Sequence, residues 1–142
     1  MTGRYKNILV PLNFSEQNDK ALEAVADIIG DVHVTLTLMH VIEPISVSDD
    51  SETADFLSQL RDNAQEALQE RKKRFEGLDV AVTCENRVGN RTRELITYAD
   101  DNNVDLIVLS SHPLRGSEPS KFVASISYQV AVLANCAILL LK

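Results

Sequence analysis

Ser110, Ser111, His112, Pro113, Arg115, Gly116, Ser117, Lys121 and Ser125 fall within one short stretch of the chain. Two kinds of chemistry could use such a set. A serine beside a histidine is the beginning of a nucleophile and base pair, but that arrangement also needs a group to orient the histidine. Only Ser110 and Ser111 adjoin His112, and the sequence supplies no orienting partner. Hydroxyls and cations ahead of a helix can also cradle an anion, since helix N-termini present unsatisfied amide donors. The same residues are ordinary turn chemistry, and this plainer reading is favoured. His33, His40 and His112 lack metal-ligand spacing, and no Cys or carboxylate cluster completes a metal site. Neither catalysis nor a metal is expected.

The loop is positioned by its flanks. Residues 104–110 form a continuous apolar run, typical of a strand buried on both faces. Residues 124–134 carry Ile126, Val130, Ala131 and Leu133 toward a core as a helix, and residues 136–141 return to an apolar strand. Upstream, Ile8-Leu9-Val10 marks a strand over 5–12, followed by an Asn13-Phe14-Ser15 turn with Ser15 as helix N-cap. Ala21, Leu22, Val25, Ala26, Ile28 and Ile29 then recur at helical spacing before Gly30. Residues 32–41 alternate as a strand. A helix over 51–76 turns Ala54, Leu57, Leu60, Ala64, Ala67, Leu68, Arg71 and Phe75 inward. The cations Arg71 to Arg74 complement the dipole of its last turn. A more polar strand spans 78–86, and a helix over 90–102 buries Leu95, Ile96 and Ala99.

Strands and helices that alternate in this way demand a parallel sheet covered on both faces. Right-handed crossovers leave few strand orders. The doubly wound order 3-2-1-4-5 fits, with the polar third strand at one edge and the apolar first and fourth inside. Chain direction then reverses between strands one and four, and ligands of such folds bind in the crevice above that switch point. Pro11, Leu12, Asn13 and Ser15 would line it from the first loop, with Ser110, Ser111, His112, Pro113, Arg115, Ala124 and Ser125 from the fourth. Val41 and Gly89 would flank it.

The length of 142 residues suits a single domain over 1–142, and hydrophobic content of 44% is that of a globular chain. A net charge of −7 without a basic, aromatic-studded stripe argues against nucleic acid and anionic membranes. No apolar run approaches the roughly 20 residues of a membrane span, and the N-terminus shows no secretory signal. A cytoplasmic location is expected. Cys84 and Cys136 would stand at opposite sheet edges, about 19 Å apart, as reduced thiols.

Asn7-Ile8-Leu9-Val10-Pro11-Leu12-Asn13-Phe14-Ser15, Met39-His40-Val41, Val88-Gly89-Asn90 and the final loop, helix and strand together resemble the universal stress protein family over essentially the whole chain. The resemblance implies a doubly wound domain, commonly dimeric, associated with stress tolerance. It also implies a choice. Some members bind ATP or related adenine nucleotides through Gly-x2-Gly-x9-Gly-(Ser/Thr); others lack that motif. Here the glycine positions hold Ser110, Pro113 and, after a spacer one residue longer, Ala124, while Ser125 keeps the hydroxyl position. Pro113 has no amide hydrogen to offer a phosphate. The family's acidic residue at the end of the first strand is Asn13. The expectation is a stress-response homodimer, paired through edge strand 136–141, that acts through protein contacts with a degenerate nucleotide loop and no cofactor. The alternative is an adenine-nucleotide (ATP or AMP) sensor with a variant loop.

Overall fold

The computed structural model describes residues 5–29, 33–44, 51–111 and 125–142. Its strands are β1 (Asn7–Pro11), β2 (Val34–Ile42), β3 (Val80–Val88), β4 (Leu106–Ser110) and β5 (Ala137–Leu141). Between them lie helices α1 (Gln17–Ile29), α2 (Ser51–Lys72), α3 (Arg91–Asp101) and α4 (Ile126–Leu133). The sheet is parallel throughout in the order β3-β2-β1-β4-β5, as the alternation of elements predicts. Cys84 and Cys136 therefore belong to opposite edges, and both are free thiols.

The pleat divides each central strand between two cores. Ile8 and Val10 of β1, with Leu36 and Leu38 of β2, meet Leu22 and Val25 of α1 and Leu68 of α2. Leu9, Met39 and Ile107 face the other way, against Leu95 and Tyr98 of α3 and Val130 of α4. Burial on both sides explains why β1 and β4 read as unbroken apolar runs. One polar pair interrupts the second core: buried Thr37 and Tyr98 share a hydrogen bond of 3.0 Å, which satisfies both hydroxyls at once.

Two helices depart from the sequence pattern. In α2 the second half is inward as expected, with Ala64 and Leu68 buried and Phe75 held by a 3-10 turn over Lys73–Phe75. Ala54 and Leu60 are instead exposed. The cause is β3: its α2-facing residues are Val80, Val82 and Cys84, and then Asn86, whose amide donates to Arg61 O. At Asn86 this face of the strand turns polar. In α4 only Val130 is fully buried, while Ala131 and Leu133 are exposed, because no described strand lies beyond β5 to take them.

At the N-terminal ends of the strands the chain is clamped. The Asp105 carboxylate accepts from the amides of Lys6 (3.0 Å) and Asn7 (3.2 Å). Asn7 Nδ2 donates to the carbonyls of Asn102 (2.7 Å) and Asn103 (3.2 Å). These bonds tie β1 to the turn before β4 and fix the order of the central pair.

Candidate functional site

The C-terminal end of β1 is shaped by a side chain from α1. Asn18 is 3% exposed, and its Oδ1 accepts from the amides of Asn13 (2.9 Å) and Phe14 (2.8 Å). Its Nδ2 donates to Ser110 Oγ at 3.0 Å, so one residue fastens the first loop to the end of β4. Phe14 takes a left-handed conformation, φ 63°, which a non-glycine residue adopts only when its surroundings hold it there. Asn13 Oδ1 accepts from Ser15 N at 3.0 Å, closing an Asx turn. That turn displaces the expected cap. Helix α1 begins at Gln17, and the buried Ser15 Oγ has no partner among the described residues.

His40 supports the loop from β2. Its Nδ1 donates to Leu12 O at 2.7 Å, and its ring packs on Phe14 at a centroid distance of 4.5 Å. The guanidinium of Arg71 covers the Phe14 ring at 5.0 Å. Burial pushes the imidazole below its ordinary range, the Leu12 bond opposes that, and the nearby Arg91 charge lowers it further. His40 is therefore a neutral prop at pH 7, with one ring nitrogen committed to a carbonyl.

The far wall comes from the start of α3. Asn90 caps this helix by accepting from Arg93 N at 2.9 Å, and Glu43 Oε1 accepts from Arg91 N at 2.9 Å. Arg91 Nε donates to Val41 O at 3.3 Å. A Cβ at Gly89, whose φ is 158°, would stand 2.8 Å from Glu94 Oε1, the movable end of that side chain.

Among the described residues a half-open cavity of about 100 Å³ lies at the β1/β4 switch point. Pro11, Leu12, Asn13, Val41 and Ser110 line it, as the topology predicts. Ser15, Gly89, Ser111 and Ser125 are not part of this lining. The Ser111 amide extends the ladder to Leu141 O, and Ser125 caps α4 by accepting from Tyr128 N. His112, Pro113, Arg115 and Ala124 lie outside the described residues, as do Gly116, Ser117 and Lys121. The sequence reading missed Asn18, Met39, Arg91 and Ser127 in the lining. Asn18 left one signal, a short polar residue in the first turn of a helix whose next turns are apolar. Arg91 left none, since an arginine near a helix start looks like surface. Among the described residues no group of His, Cys, Asp and Glu converges to hold a metal.

A parallel sheet in this order, with a cavity at the switch point, places the molecule among doubly wound α/β folds. The sequence pattern of the universal stress protein family matches residues 4–142, and the chain belongs to that family. It is 22% identical to universal stress protein YxiE of Bacillus subtilis, over 97% of this chain and 99% of the relative. Its fold matches that of UspA from Lactobacillus plantarum with a TM-score of 0.82, at 22% identity over 98% and 99% of the two chains. A universal stress protein from Archaeoglobus fulgidus in complex with dAMP matches with a TM-score of 0.64, at 18% identity over 97% and 98%.

Proposed function

We propose that this is a cytoplasmic, non-catalytic stress-response protein that works as a homodimer through protein contacts, and whose crevice no longer takes an adenine nucleotide. The cavity carries the reading. Sites for drug-sized ligands occupy about 300–1,000 Å³, against about 100 Å³ among the described residues here. Asn18 already holds the loop amides of Asn13 and Phe14, and Arg91 already covers Val41 O. The glycines through which relatives would approach phosphate are replaced at Ser110, Pro113 and Ala124. No described helix is long and apolar enough to cross a membrane.

Dimerisation is supported by the β5 edge. Val132 and Leu133 of α4 are 62% and 57% exposed beside this five-residue apolar strand. An uncovered apolar edge is a template for pairing, and a two-fold axis that closes it gives a dimer rather than a fibre. Light scattering at micromolar concentration is expected to give a dimer, and a monomer would refute the assembly. Calorimetry with ATP and magnesium is expected to show no site tighter than about 100 μM, near −5.5 kcal/mol.

The second reading, an adenine-nucleotide sensor, is favoured by the relative seen with dAMP. Micromolar affinity, or nucleotide released from the purified protein near one per chain, would establish it over the first.

A further inference from the structure

We infer that the crevice is a donor-lined pocket for a small tetrahedral oxyanion, with phosphate or sulfate as the fitting chemistry, and that Arg91 is its specificity-determining residue. The inference rests on the reading that the crevice is closed to nucleotides, and it follows from sorting the hydrogen-bonding groups around the cavity.

Six acceptors around the cavity each already take at least one bond. Leu12 O takes His40 Nδ1, Met39 O takes Leu12 N, and Val41 O takes Arg91 Nε. Ser110 O takes Ser127 Oγ at 3.3 Å, Asn13 Oδ1 takes Ser15 N, and Asn18 Oδ1 takes two amides.

What remains is donors. Ser110 Oγ accepts from Asn18, which leaves its own O–H to give. Asn13 uses its oxygen in the Asx turn, which leaves its NH₂. Arg91 is anchored through Nε, which leaves its terminal nitrogens. They make no hydrogen bond or ion pair with a described residue, and the nearby Glu43 carboxylate takes the Arg91 main-chain amide instead. Arg91 is the one charged residue in the described lining.

A ligand that suits this wall brings acceptors and a negative charge. Adenine brings ring-nitrogen acceptors but no negative charge for the guanidinium, and its exocyclic amine is a donor that would have to share Val41 O with Arg91 Nε. The guanidinium fork matches two oxygens of a phosphate or sulfate, and the cavity of about 100 Å³ among the described residues has room for such an ion.

The test titrates inorganic phosphate, sulfate and AMP into the full chain in chloride buffer at constant ionic strength. The Arg91 Nε–Hε resonance and the main-chain amides of Asn13 and Ser110 are followed by NMR. Saturable shifts at these groups are expected with phosphate and sulfate, with AMP no tighter than free phosphate. Arg91→Ala, on an exposed side chain that leaves the fold intact, is expected to weaken phosphate at least tenfold. Arg93→Ala, on the same helix but outside the cavity, is expected to change it less than twofold. Equal losses in the two variants would overturn the inference, because net charge would then be the cause. No saturable phosphate shift in the wild-type protein would overturn it as well, while leaving the nucleotide-free reading intact. AMP binding tenfold tighter than phosphate would instead overturn the reading on which the inference rests.

Discussion

The same strands end in two different ways. At their N-terminal ends, Asp105 receives the amides of Lys6 and Asn7, and Asn7 donates to the carbonyls of Asn102 and Asn103. Donors and acceptors there are matched, and the cluster does nothing but fix β1 beside β4. At the C-terminal ends, Asn18 takes two loop amides and donates to Ser110 Oγ, His40 and Arg91 donate to the carbonyls of Leu12 and Val41, and donors of Asn13, Ser110 and Arg91 are left over. A balanced polar cluster holds a fold together, whereas an unbalanced one defines what can bind. The two ends should therefore respond differently to substitution: stability alone at one, stability together with ligand preference at the other.

The largest effect should come from the clamp. Asp105→Ala leaves the Lys6 and Asn7 amides without their charged acceptor, a loss of about 2–3 kcal/mol, read from urea unfolding. Phosphate shifts at the crevice should stay as in the wild-type protein. A change in them would mean that the ends are coupled. Asn18→Ala comes next, at about 1–2 kcal/mol, because two loop amides lose their acceptor. Here the crevice resonances should move as well, since the tie to Ser110 is cut; an unchanged crevice would break the comparison.

The smallest effect is a pH dependence. The folded-state pKa of His40 is lowered, chiefly by burial. Its contribution is therefore fully present above the unfolded value near 6.5 and is lost as pH falls through the lower folded value. One proton limits the slope to about 1.4 kcal/mol per pH unit. Unfolding free energies should decline on acidification from pH 7 to 5, and His40→Gln should flatten that slope. An identical slope in the variant would show that other groups carry it.

The sequence by itself determined the fold. Apolar runs at 8–10 and 106–109 read as central strands, and right-handed crossovers left few orders, of which 3-2-1-4-5 fitted best, because burial on both faces and chain connectivity are properties of pattern. The location of the crevice followed from that order, and Pro11, Leu12, Asn13, Val41 and Ser110 were legible as its lining. Tertiary structure decided the rest. Helical periodicity marked Leu60, Ala131 and Leu133 as inward, but a stripe is buried only where a neighbour stands opposite. Asn86 in β3 and the open β5 edge removed those neighbours. The helix cap passed from Ser15 to an Asx turn because Asn18 had already drawn the Asn13 and Phe14 amides to itself. The charge of the crevice also belongs to this second class. Arg91 reaches Val41 across a gap of 50 residues in sequence, and whether a donor is used or left over depends on partners that meet only when the chain is folded.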